Sequence, residues 1–187
     1  MLFERRCPAC GRHSRFACSS CWSRLTPDHS AAPGLFVYDQ ACRELILAAK
    51  NHGRRDLLRP FGRALADHLA ERLDPEVPWL VTWVPCSRRG RQARGFDQGR
   101  ILARTVAAGL GVNARPLLRR IDPAAQKGRS REQRLVGPAF RARRLATGYI
   151  VLLDDVTTTG ASLRGAVAAL ESAGAQLVVP AALASVP

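Results

Sequence analysis

Two short apolar runs stand out along the chain. Trp79–Val84 stops at Pro85, and Tyr149–Leu153 stops at a pair of aspartates. Short apolar runs closed by turn or polar residues read as buried strands. Between and around them the apolar positions recur at helical spacing. Gln40–Asn51 places Leu45, Ile46 and Ala49 on one face, and Asp56–Leu73 continues with a second helix. Phe96–Leu110 reads as a helix closed by Gly111, and Ala161–Ala173 as one stopped by Gly174. Leu35–Tyr38, Pro116–Arg120 and Leu177–Ala182 complete the strand candidates. Ser87–Gly95 reads as a basic loop, and Asp122–Pro138, which lacks an apolar stripe, as a mobile loop with partial helix. Strands alternating with helices predict an α/β fold, a mostly parallel sheet flanked by helices.

The first 28 residues break this pattern. They hold four cysteines and little periodic apolar content, and residues 29–34 (HSAAPG) read as a linker. The expected organisation is a small module at 1–28 followed by one domain at 35–187, which suits a chain of 187 residues. No charged n-region with a following apolar stretch resembles a signal peptide, and no apolar run is long enough to span a membrane, so a cytoplasmic address is expected. Thiols stay reduced there, and six cysteines are read first as metal ligands or free thiols.

Cys7-Pro-Ala-Cys10 and Cys18-Ser-Ser-Cys21 are two CxxC pairs separated by seven residues. Each tight turn brings two thiolates to one ion, and two turns supply the four ligands of a tetrahedral Zn²⁺ site. A segment this small cannot fold on apolar burial, so the metal would supply its folding energy. An all-protein ligand set implies a structural role. A redox CxxC or unrelated free thiols are the alternative, and His13 and His29 are possible substitute ligands. Trp22 and Phe16 are expected to dock the module on its neighbour. Cys42 reads as core filler, and Cys86 as a partly exposed thiol in a basic loop.

The densest chemistry follows the second apolar run. Asp154-Asp155-Val-Thr157-Thr158-Thr159-Gly160-Ala161-Ser162 leads from a strand directly into a helix. Open α/β sheets bind ligands at the carboxyl ends of their strands. Loop amides and a helix N-terminus make an anion cradle there, hydroxyls add donors, and Gly160 lets the backbone approach a phosphate. The aspartates repel phosphate and suit sugar hydroxyls, directly or through Mg²⁺. An ordinary N-cap accounts for one of these hydroxyls but not for the rest. No Gly-Lys-Ser/Thr is present, which excludes a Walker A loop.

The net charge of +14, with 29 Lys and Arg against 15 Asp and Glu, points to polyanionic partners or to a solvated basic face. Arg88, Arg89, Arg91, Arg94 and Arg100 form one group. Arg129, Arg131, Arg134, Arg141, Arg143 and Arg144 form another.

Leu152–Ser162 resembles the phosphoribosyl pyrophosphate (PRPP) signature of type I phosphoribosyltransferases. The whole chain is similar to the ComF family, linked to natural competence. The likeness runs through the four-Cys head, Leu47-Ala-Ala-Lys50-Asn-His-Gly53, Val84-Pro85-Cys86-Ser87 with Arg94-Gly-Phe-Asp97-Gln98, and Gln126 to Phe140. It implies the type I phosphoribosyltransferase fold with an N-terminal zinc module. It also implies roles: Asp154 and Asp155 for ribose hydroxyls and Mg²⁺, Thr157 to Ser162 for the 5-phosphate, and Pro85, Cys86, Ser87 and Arg88 as a pyrophosphate loop. Lys50 would neutralise the same charge, and Gln126, Arg131 and Arg134 would belong to a flexible hood. Single-stranded DNA and a competence helicase are the partners the resemblance suggests. Asp97, Cys86 and Gly137 depart from the family's usual Asn, Val and Asn.

Overall fold

In the long strand that carries the aspartates, successive side chains face opposite sides of a sheet buried on both. Ile150 and Leu152 face one core and Val151 and Leu153 the other, all fully buried. A computed structural model describes residues 6–14, 16–30, 32–51, 54–121 and 139–187. The expected mobile loop and hood, with Gln126, Arg131 and Arg134, lie outside the described residues.

The elements run α1 (Ser19–Trp22), β1 (Gly34–Val37), α2 (Gln40–Asn51), a 3₁₀ turn at Arg55–Leu57, and α3 (Leu58–Ala70). Then come β2 (Trp79–Trp83), α4 (Arg88–Arg94), α5 (Gln98–Gly109), β3 (Asn113–Ala114) and β4 (Leu118–Arg120). The chain ends with β5 (Phe140–Ala142), β6 (Gly148–Thr157), α6 (Ala161–Glu171) and β7 (Ala175–Ser185). Five strands form one parallel sheet in the order β1-β7-β6-β2-β3, and β4 pairs antiparallel with β5 in a separate ribbon.

One face of the sheet packs Phe61 and Leu65 of α3, Leu102 and Val106 of α5, and Leu45 and Ile46 of α2 against Val81, Val151 and Leu183. The other face packs Leu163, Ala166 and Leu170 of α6, with Leu118 of β4 and Phe140 of β5. The cysteine-bearing head joins the first of these cores. Trp22 packs on Phe61 with ring centroids 5.0 Å apart and planes tilted by 51°, and meets Phe36 of β1 edge-on at 6.1 Å. Phe16 remains exposed.

One expectation needs correcting. The predicted basic loop at Ser87–Gly95 is helical over Arg88–Arg94. Ser87 caps it, its hydroxyl accepting from the Gly90 amide at 3.1 Å. Gly95 ends it in the left-handed region, φ 70°. The helix buries none of its residues, so its ends and not an apolar stripe define it.

Candidate functional site

From β2 the chain crosses to β3 on one side, and from β6 it crosses to β7 on the other. The strand order therefore reverses between β2 and β6, where open α/β sheets leave a crevice at their carboxyl ends. Trp83 is in register with Leu153, and the Val84 amide donates to the Leu153 carbonyl at 2.8 Å. That register sets Pro85–Ser87 beside Asp154–Asp155. Together they line a cavity of about 280 Å³ with Lys50, Arg94, Gln98, Gly99, Arg120, Val156 and Ser162.

Asp155 is held from three directions. Lys50 Nζ lies 2.9 Å from its Oδ1, Gln98 Nε2 donates to its Oδ2 at 2.9 Å, and the Val156 amide donates to Oδ1 at 2.7 Å. Asp154 has less support: its Oδ1 accepts from the Asp155 amide at 2.8 Å. Burial, and then the adjacent Asp155 carboxylate, push Asp154 up to about 7. The pair thus consists of one clamped carboxylate and one poised to carry or release a proton near neutrality.

Beyond the aspartates, β6 continues to Thr157, paired throughout with β7. Thr157 is buried, Thr158 and Thr159 are exposed, and Gly160, Ala161 and Ser162 are half-buried at the start of α6. Gly160 adopts φ 70°, which turns the chain into the helix. Arg164 folds back over this corner, its Nη1 donating to the Thr159 carbonyl at 2.6 Å.

The structure thus brings Asp154, Asp155, Pro85, Cys86, Ser87, Lys50 and Ser162 to one cavity. Thr157, Thr158, Thr159, Gly160 and Ala161 form the adjoining strand-to-helix corner without lining it, and Arg88 is exposed at the start of α4. Arg94, Gln98 and Arg120 line the cavity but carry no role in the sequence reading. For Gln98 no local signal existed, because its place depends on Asp155, far along the chain. For Arg120 there was none, because its place depends on the β4–β5 ribbon. Asp97 is committed elsewhere: Oδ1 accepts from the Arg100 amide at 3.3 Å as the α5 cap, and Oδ2 from Trp83 Nε1 at 3.2 Å. Cys86 is half-buried, and burial raises its thiol above the ordinary range. Cys42 is fully buried, and burial pushes its thiol up to about 12.

A second groove, about 910 Å³, opens on the far side of Pro85 and Cys86. Arg91, Arg100, Arg104 and Arg143 line it together with Phe96 and Pro116. The Arg55 guanidinium lies 4.4 Å over the Phe96 ring.

In the head, Cys7, Cys10, Cys18 and Cys21 place their sulfurs within 4.8 Å of one another. Cys10 Sγ and Cys18 Sγ are 3.5 Å apart. Four thiolates at about 2.3 Å from one ion sit about 3.8 Å from each other, so the set fits a tetrahedral metal. The first turn closes by Gly11 N donating to Cys7 O at 2.8 Å, with Gly11 at φ 73°. The second closes by Cys21 N donating to Cys18 O at 3.0 Å. The backbone amide and side chain of Arg12 lower the Cys10 thiol to about 6, whereas burial and the neighbouring cysteines push Cys21 up to about 12.

No protein-family model matches the sequence, and no curated protein matches it. Solved structures do match. Glutamine PRPP amidotransferase from B. subtilis, complexed with ADP and GMP, aligns at TM-score 0.50 and 18% identity. The alignment covers 74% of this chain and 30% of that one. A structure described as the allosteric regulatory enzyme of purine biosynthesis aligns at TM-score 0.51 and 20% identity, over 74% of this chain and 30% of that one. The fold is that of the type I phosphoribosyltransferases. A purine phosphoribosyltransferase from Pyrococcus horikoshii Ot3 aligns at TM-score 0.42 and 20% identity, over 68% of this chain and 73% of that one. The chain spans less than a third of the first two neighbours. Among the described residues no helix is long and apolar enough to cross a membrane.

Proposed function

We propose that the cavity between β2 and β6 binds PRPP or another ligand carrying a ribose 5-phosphate. The observation that carries this reading is the gathering of Asp154, Asp155, Pro85–Ser87, Lys50 and Ser162 around one cavity at the point where strand order reverses. Thr157–Ser162 and the first turn of α6 would hold the 5-phosphate through amides and hydroxyls. Asp154 and Asp155 would accept from the ribose diol. Pro85–Ser87, with Arg88 at the following helix start, would face the diphosphate. Lys50, which neutralises Asp155 in the free protein, would share its charge with the same group. Mg²⁺, held by the aspartates and the diphosphate, would supply charge neutralisation for a departing pyrophosphate.

In the enzyme form of this reading, the C1–oxygen bond of PRPP breaks, pyrophosphate leaves with the electron pair, and an acceptor nucleophile bonds to C1. The protein's share is positioning and electrostatic stabilisation. A hood at Gln126, Arg131 and Arg134 would exclude water. Calorimetry with PRPP and Mg²⁺, followed by pyrophosphate release over a panel of bases, tests it. Binding and release that both vanish in Asp154→Ala and Asp155→Ala support an enzyme. Binding without release supports a nucleotide sensor on the same fold. The absence of binding sinks both.

The Arg91–Arg143 groove favours a second reading, in which the chain also binds nucleic acid. The ComF resemblance then points to single-stranded DNA, with a competence helicase as protein partner. Steep salt dependence, and loss of binding in Arg100→Glu/Arg104→Glu, would support it. For the head we infer a structural Zn²⁺ on Cys7, Cys10, Cys18 and Cys21, making 1–28 a metal-held unit ahead of the ligand-binding domain at 35–187.

A further inference from the structure

Among the described residues, three buried side-chain polar atoms have no hydrogen-bond partner, and two of them, Gln98 Oε1 and Arg94 Nε, belong to residues lining the β2–β6 cavity. Buried polar groups are almost always satisfied, and an orphan on a residue that lines a pocket points to a partner that arrives with the ligand. Gln98 is 8% exposed. Its nitrogen donates to Asp155 Oδ2 at 2.9 Å while Lys50 lies against Oδ1, so the amide nitrogen faces the carboxylate and the carbonyl oxygen faces away. Arg94 is the last residue of α4, across the Gly95 corner from the start of α5 at Gln98. Its guanidinium folds back over Gly90, in space that a side chain there would fill: a Cβ would stand 2.7 Å from Arg94 Nη2 and 3.1 Å from Ser87 Oγ. Arg94 is thereby held against the Pro85–Ser87 side of the cavity and Gln98 against the aspartate side.

The two orphans are opposite in kind. Gln98 Oε1 is an acceptor and Arg94 Nε a charged donor. A ribose diphosphate has the reverse arrangement. Its hydroxyls are its donors, and its phosphates only accept. We propose that Arg94 and Gln98 are ligand-contacting residues: Gln98 Oε1 accepts from a ribose hydroxyl while its amide nitrogen holds Asp155, and Arg94 Nε donates to the diphosphate. This deepens the ribose 5-phosphate reading and rests on it. Gln98 becomes the residue that distinguishes ribose from its deoxy forms, and Arg94 the one that distinguishes a diphosphate at C1 from a free hydroxyl.

The test is calorimetry on the full chain with Mg²⁺, using PRPP, ribose 5-phosphate, its 2-deoxy and 3-deoxy analogues, and inorganic pyrophosphate. Gln98→Met is expected to weaken ribose 5-phosphate about five- to tenfold, the effect of one neutral hydrogen bond. It should abolish the wild-type preference over one deoxy analogue and leave pyrophosphate affinity unchanged. Arg94→Met is expected to weaken PRPP and pyrophosphate about 10- to 100-fold, as a charged hydrogen bond does, and to leave ribose 5-phosphate unchanged. Should Gln98→Met fail to fold, Gln98→Asn, which withdraws the amide by one methylene, is read the same way. Equal losses on all ligands, or none, overturn this inference alone. A wild-type protein that binds none of them overturns the ribose 5-phosphate reading and this one with it.

Discussion

Replacing Asp154 with Asn removes a charge that the folded protein accommodates poorly, so the substitution should stabilise the free protein in a pH-dependent way. Asp154 holds its proton up to about 7 in the fold, against 3.8 in the unfolded chain. Between those values the native state binds more protons, so stability falls as pH rises through the interval, and the loss is complete above about 7. At 1.36 kcal/mol per unit, the whole gap of about three units corresponds to about 4 kcal/mol. From pH 5.5 to pH 8 the wild type should lose about 2 kcal/mol that Asp154→Asn does not. Asn keeps an oxygen for the Asp155 amide, now 2.8 Å from Oδ1, so no hydrogen bond is sacrificed. Urea unfolding of both proteins in Mg²⁺-free buffer at the two pH values isolates the effect, because any metal contribution from the head cancels in the difference. In thermal melts the same gap is about 4–8 °C for a chain of this size. An Asp154→Asn advantage that is equal at pH 5.5 and pH 8 refutes the claim that a strained carboxylate lies at the end of β6.

Gly99→Ala would put a Cβ 2.7 Å from Trp83 Cδ1, displacing the indole from Asp97. It should cost about 1–3 kcal/mol and shift tryptophan fluorescence, measured by urea titration. Gly160→Ala forces a side chain onto φ 70° and to within 2.8 Å of Arg164 Nη1, so PRPP affinity should fall at least several-fold by calorimetry. Purified protein should carry one zinc per chain by elemental analysis, lost in Cys7→Ser/Cys18→Ser, and chelation should lower its melting temperature. Lys50→Met leaves Asp155 without its counterion. It should weaken pyrophosphate more than ribose 5-phosphate in paired titrations.

Elements with a buried stripe were legible in the sequence. α2, α3 and α6 follow their apolar spacing, and the apolar centres of β2 and β6 stand where their runs do. Features set by end chemistry or by distant pairing were not. α4 buries nothing, and periodicity registers only a buried face, so its sequence has the pattern of a loop. β6 extends past the aspartates to Thr157 because β7 pairs with it as far as Ser185, a partnership no local pattern announces. β7 is legible at Leu177–Ala182, across Pro180, but its extension to Ala175 and Ser185 is not. β4 is legible within Pro116–Arg120, but its partner β5 lies among arginines and is not, and their pairing brings Arg120 to the cavity. The aspartates and the glycine corner were visible because strand, acid pair and helix start are contiguous. Gln98 was hidden because a glutamine in a first helical turn usually faces water, and only Asp155, 57 positions away, makes it a buried one.

The sheet places the earliest strand at an edge, with β7 as its neighbour there. As the polypeptide leaves the ribosome, β1 therefore has only residues 26–28 to bond to until Ala175–Ser185 arrives, and β6 waits for its long partner until the same moment. The cysteine turns close on contacts made among residues 7–21, so they can take up an ion long before the sheet is complete. Trp22, anchored to that early knot, would then give Phe36 and Phe61 a surface to gather on while the rest of the chain is still being made.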